Sequence, residues 1–123
     1  MSKTLTYEFC TVTVYKRYMV VVMFSGVHLK PEHNSVLENI VDTYFKDQPF
    51  VYLTHRKNSY SVDPAIYVKT SKIKNLAGFG VIAEIPVARA NAALEKLFLN
   101  KPFEIFDNLE DARTWAKQIL DNE

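Results

Sequence analysis

Between Thr54 and Tyr67 the sequence reads THRKNSYSVDPAIY, which places His55, Arg56, Lys57, Asn58, Ser59, Tyr60, Ser61 and Asp63 side by side. Three kinds of chemistry could use these residues. His55, Ser59 and Asp63 are the residue types of an acyl-transfer triad. That device needs each member held on rigid structure with an oxyanion hole opposite the nucleophile, so three members on one loop form a poor arrangement. No catalytic residue is assigned, and the chain is expected not to be an enzyme. Ser59 or Ser61 beside a helix start and the cations Arg56 and Lys57 would suit a phosphate, through the positive end of the helix dipole and direct charge pairing. The ordinary explanation of the same residues is turn chemistry, because Asn, Ser and Asp side chains satisfy loop backbone.

Other clusters are weaker. His28 and His33, with Glu32 between them and His55 elsewhere, are metal-ligand types, but a five-residue spacing across a loop-to-helix junction is not a ligand pattern. No metal and no cofactor is assigned. The Gly78-Phe79-Gly80 triplet precedes a strand, whereas a dinucleotide loop bridges strand to helix; close backbone packing explains it better. From Arg56 to Lys74 five cations (Arg56, Lys57, Lys69, Lys72, Lys74) face one anion, Asp63, for a local charge of +4. From Glu104 onward six acids and two bases give −4. Such polarity could steer an acidic partner, an anionic ligand or a second copy of the chain in head-to-tail contact; equally, Lys69, Lys72 and Lys74 could form a solvated helix face.

The elements that must position these residues are legible from periodicity. With 123 residues, 48% of them apolar, the sequence fits one domain, residues 1–123, with an unaided core. A formal charge of +1 excludes the broad positive field of a non-specific nucleic-acid binder. The single cysteine, Cys10, excludes an internal disulfide. No secretory pattern opens the chain and the longest apolar run, YMVVVMF, is far short of a bilayer span, so the expectation is a cytoplasmic protein without a membrane span.

In TLTYEFCTVTVY the apolar phase slips near Cys10 and Thr11, which predicts a bulge or a broken strand. Tyr18 to Phe24 reads as a central strand covered on both faces. Pro31 then opens a helix whose core face is Val36, Leu37, Ile40, Val41, Tyr44 and Phe45. A short strand FVYL follows, and Asp63-Pro64 caps a helix reaching about Lys74. FGVIAEI is a third strand of the main sheet. The helix ARANAALEKLF has Ala90, Ala93, Leu94, Leu97 and Phe98 on one face, expected inward. PFEIF is a strand, and Asn108 caps a last helix with Leu109, Ala112, Trp115, Ala116, Ile119 and Leu120 inward. The predicted class is α/β: an N-terminal β-hairpin, four βα units and about four helices on a mixed, mostly parallel sheet. Right-handed crossovers place the loops leaving the strands on a shared edge, and the loop at 55–63 is the longest and most polar of them.

This order, together with GVHLKPEH, the loop after FVYL and the closing PFEIFDNLEDARTWAKQIL, resembles the SpoIIAA-like fold of STAS and CRAL-TRIO domains. It is most similar to small bacterial stand-alone STAS-like proteins. The resemblance implies a regulatory or protein-docking module in which a serine near the second helix is a phosphorylation switch, with Ser59 and Ser61 at the comparable place. Asn58-Ser59-Tyr60-Ser61-Val62-Asp63 stands where Asp-Ser-Ser-Gly is typical. CRAL-TRIO domains imply the alternative, a carrier of an apolar or lipid-like ligand in a cavity of several hundred Å3 lined by residues such as Tyr44, Phe45, Phe50, Tyr67, Phe79 and Phe98. The expected partner is a protein, acidic in character, with weak homo-oligomerisation a second expectation.

Overall fold

The computed structural model describes residues 2–122. The phase slip at Cys10 proves to be a chain reversal. Lys3–Thr6 (β1) and Cys10–Val14 (β2) pair antiparallel, and the Tyr7 N–H donates to the Cys10 carbonyl at 2.8 Å to close the turn between them. The break therefore adds a strand to the expected hairpin. β2 pairs antiparallel with Tyr18–Met23 (β3).

Beyond β3 come His28–Leu29 (β4), a 3₁₀ turn opened by Pro31, Asn34–Tyr44 (α1), Phe50–His55 (β5), Ser61–Val62 (β6) and Ile66–Ser71 (α2). Leu76–Ile82 (β7), Pro86–Glu95 (α3), a 3₁₀ turn at Lys96–Phe98, Phe103–Phe106 (β8) and Leu109–Asp121 (α4) complete the order. The main sheet runs β1-β2-β3-β5-β7-β8, with β3, β5, β7 and β8 mutually parallel. Each crossover steps in the same direction, so right-handedness puts α1, α2 and α3 on one face. α4 follows the last strand and covers the other. The core is accordingly double. Met19, Val21, Tyr52 and Phe79 pack beneath the first three helices, while Val20, Val51, Leu53 and Ile82 meet Ala112, Ala116 and Leu120 of α4. β3 and β5 are the middle strands, and the first five residues of β5 are buried.

Gly78 and Gly80 serve the α4 face. A Cβ on Gly78 would lie 2.9 Å from Trp115 Cη2, and one on Gly80 would lie 2.7 Å from Leu53 Cδ2. Close packing, as expected, is the reason for the triplet.

Two helices differ from expectation. α2 stops at Ser71, about a turn before Lys74. α3 is rotated: Leu94, Leu97 and Phe98 are 61%, 79% and 49% exposed, and Ala92 is the buried residue of the helix. Ala88, Ala92, Glu95 and Leu99 occur at four- and three-residue steps and form an alternative face. With that face inward, Glu95 meets a buried cationic partner.

Candidate functional site

Alternation along β5 puts Tyr52 and Thr54 on the helix-covered face, and Arg56 continues this phase one residue past the strand. The Arg56 N–H donates to the Ile82 carbonyl at 2.9 Å, which fixes the backbone. Its guanidinium then forms a fork-to-fork pair with Glu95 of α3: Nη1 donates to Oε2 at 2.9 Å and Nη2 donates to Oε1. The Tyr67 hydroxyl of α2 donates to Oε1 at 2.5 Å. The Tyr60 ring packs on the guanidinium, 5.5 Å from Cζ to centroid. The Arg56 and Glu95 side chains are only 7% and 12% exposed. Burial works against the Arg56 charge, but the hydrogen-bonded Glu95 carboxylate more than offsets it and moves the pKa up. Tyr67 is held well above the usual tyrosine range, chiefly by burial and then by the Glu95 charge, so it remains a donor. Arg56 Nε is buried and has no hydrogen-bond partner among the described residues.

The loop that delivers Arg56 is stitched to the loop after β3. β4 and β6 form a two-residue parallel ladder, Ser61 N–H donates to the Val27 carbonyl at 3.0 Å, and Asp63 N–H donates to the Leu29 carbonyl at 2.8 Å. The Asn58 amide donates to the Met23 carbonyl at 2.9 Å, and Gly26 N–H donates to the Ser59 carbonyl at 2.8 Å. Gly26 sits at φ +82°, a left-handed turn that favours glycine. The polar residues of this segment therefore build backbone structure as well as a surface.

The proposed loop residues divide into two groups. Lys57, Asn58, Ser59 and Ser61 are exposed, and Tyr60 and His55 are half-buried. Arg56 is a correction: its side chain points inward and is consumed by Glu95, so it offers no surface cation. Asp63 is not the N-cap expected: α2 starts at Ile66, and the Asp63 carboxylate accepts the Ala65 N–H at 3.0 Å in the turn that precedes it. Burial, then Lys57, lowers the His55 pKa, with Glu84 opposing. No hydrogen bond joins His55, Ser59 and Asp63 among the described residues. Ser61 Oγ lies 2.6 Å from His28 Nδ1, bridging β6 to β4. His33 Nδ1 accepts the Lys30 N–H at 2.8 Å, and its ring packs on Phe9. Lys69, Lys72 and Lys74 share an open cleft with Lys46 and with the acids Glu38, Asp42 and Asp47. The local excess of positive charge seen in sequence is thus largely offset in space.

Glu95 and Thr54 were missed by sequence reasoning. Glu95 shares a helix face with Ala88, Ala92 and Leu99, a face less apolar than its competitor, so periodicity alone points away from it. Between α1, α2 and the sheet lies a cavity of about 50 Å3 whose walls include Val21, Met23, Leu37 and Ile40 together with Arg56, Tyr60 and Thr54. It is far smaller than the several hundred Å3 expected of a lipid carrier. Cys10, also in the wall, has its thiol pushed up to about 12 by burial and is unreactive at neutral pH. No group of three or more His, Cys, Asp or Glu side chains suited to a metal occurs among the described residues. No helix among them is long and apolar enough to cross a membrane.

No protein-family model matches the sequence, and no curated protein matches it. Among solved structures, the chain is similar to an uncharacterized protein from the DUF3478 family, with a SpoIIAA-like fold, from Shewanella loihica PV-4. The likeness has a TM-score of 0.58 at 11% identity and covers 94% of this chain and 92% of that one. With its hairpin start, one-directional parallel crossovers and four helices, this chain has a SpoIIAA-like fold.

Proposed function

We propose that the protein is a non-enzymatic regulatory module of STAS-like type that docks a protein partner along the outer side of loop 55–63 and the adjoining α3 surface. The observation that carries this reading is the exposed apolar row on α3 and the turn after it. Val87, Leu94, Leu97 and Phe98 recur at helical steps, all about half or more exposed. Val68 of neighbouring α2 is exposed as well. An apolar row of this kind marks an interaction surface more often than a solvated one. Loop 55–63 adjoins it through the Arg56–Glu95 pair.

The chemistry of the partner follows from the margins of the row. Glu95 is turned inward and Asp107, though exposed, is paired with Arg89 at 2.6 Å, while Lys57 and Lys96 are exposed and Glu84 is an exposed acid nearby in sequence. An apolar face bordered by acidic residues complements this surface. The test places a photoreactive amino acid at position 97, with position 114 on the exposed side of α4 as control, and cross-links in cells. An adduct from position 97 alone, lost in Leu94→Asp and weakened by Lys57→Ala, supports the reading. Equal adducts from both positions, or none from position 97, overturn it.

A further inference from the structure

We propose that the cavity under loop 55–63 binds a small uncharged molecule that presents one hydrogen-bond-accepting oxygen, such as a ketone, ester or amide carbonyl, on a short apolar body. This site lies on the inner side of the loop and is independent of the docking surface.

The cavity wall holds a donor without an acceptor among the described residues. Arg56 is 7% exposed, lines the cavity, and keeps Nε unpartnered among the described residues while Nη1 and Nη2 bind Glu95. A buried donor left unmade is costly, and one on a charged group makes a strong bond when an acceptor arrives. Beside it, the hydroxyls of Thr54 and Tyr60 approach each other only to 3.4 Å, so both retain bonding capacity. Most of the remaining wall is apolar, with Val21, Met23, Leu37 and Ile40 among its members; its other polar side chains are already engaged, Asn34 with Glu38, Thr70 with Asn34, Tyr67 with Glu95 and His33 with the Lys30 N–H.

Charge selects the ligand class. Glu95 already neutralises Arg56, so a carboxylate ligand would be a second anion against one cation, desolvated between apolar walls. A neutral carbonyl takes the Nε–H and adds no charge. Volume selects the size. A water needs roughly 10–15 Å3 in such a space, so about 50 Å3 holds on the order of four water-sized groups. Met19 and Met23 are unbranched and adaptable, which lets the wall follow a short chain.

The test uses the full chain labelled with 15N and follows the Arg56 Nε–H resonance, assigned by replacing Arg17, Arg89 and Arg113 in turn with Lys. The probes are 2-pentanone, butyrate and cyclopentane. The expected result is a saturable shift with 2-pentanone at an affinity at least tenfold above both other probes, the ratio that one hydrogen bond to a charged donor supports. Leu37→Phe, which fills the cavity from its α1 wall, should abolish the shift; Val36→Phe is the second filling variant if the first does not fold. Cyclopentane binding as tightly as 2-pentanone would remove acceptor recognition, and tighter butyrate binding would refute the charge argument. No saturable shift with any probe would show that the cavity is not a site.

Discussion

Glu95→Ala removes both oxygens that bind the Arg56 guanidinium and the acceptor of the Tyr67 hydroxyl. The guanidinium would then be an uncompensated charge in a site where its side chain is 7% exposed. Breaking one side of a buried ion pair costs about 3–5 kcal/mol, against a total of about 5–15 kcal/mol for a domain. A surface pair would cost about 0–1 kcal/mol, so the two descriptions are well separated. The paired replacement Arg56→Met with Glu95→Leu removes both charges and fills the space with apolar atoms, which is commonly neutral or stabilising by about 1–4 kcal/mol. Urea unfolding of the parent, both single variants and the double variant gives the coupling directly, provided the m-values agree. A loss under about 1 kcal/mol for Glu95→Ala would refute the burial of this pair, since an open site would let water replace Glu95.

Leu97→Asp should change unfolding free energy by less than about 0.5 kcal/mol, because the side chain is 79% exposed; a loss of about 2 kcal/mol or more would place it in the core after all. Gly78→Ala should destabilise by about 1–3 kcal/mol through overpacking against Trp115, with quenching or shift of the single tryptophan fluorescence as the local readout. Stability should fall as pH rises above about 9, since the Cys10 thiol, ordinarily 9.0, is held up to about 12 in the fold, and fall further above 10 as Tyr52 and Tyr67 begin to ionise in the unfolded chain only. Cys10→Ala should delay the onset of that decline in urea titrations at stepped pH. On the acid side, the His55 pKa is lowered in the fold, so its contribution is present above 6.5 and lost as pH falls below it; His55→Gln should flatten the stability profile between pH 5 and 6.5.

Much of the architecture was legible because burial imposes period. The apolar run at Tyr18 to Met23, the α4 stripe from Leu109 to Leu120, the Asn108 cap accepting the Asp111 N–H at 2.8 Å, and the small residues facing Trp115 each follow from a local pattern with one physical solution. The phase slip at Cys10 marked a real discontinuity, but whether a slip bends a strand or reverses it depends on the partner across the ladder.

Loop 55–63 shows the limit. Its sequence determines that the segment is polar and leaves a parallel strand; Asp63, expected as the cap of α2, instead accepts the Ala65 N–H in a turn before the helix, which starts at Ile66. Which of its cations faces solvent is not a local property. Lys57 and Arg56 are adjacent and alike in charge, yet one is exposed and the other is enclosed against Glu95, which lies 39 positions away on the less apolar of the two candidate faces of α3. Periodicity counts hydrophobic atoms along one element; it does not include a hydrogen-bonded charge pair between two. Only the assembled sheet, by bringing Arg56, Tyr67 and Glu95 together beneath the helices, decided which face of α3 turned inward, left an apolar row outside and enclosed a cavity with one unpartnered donor.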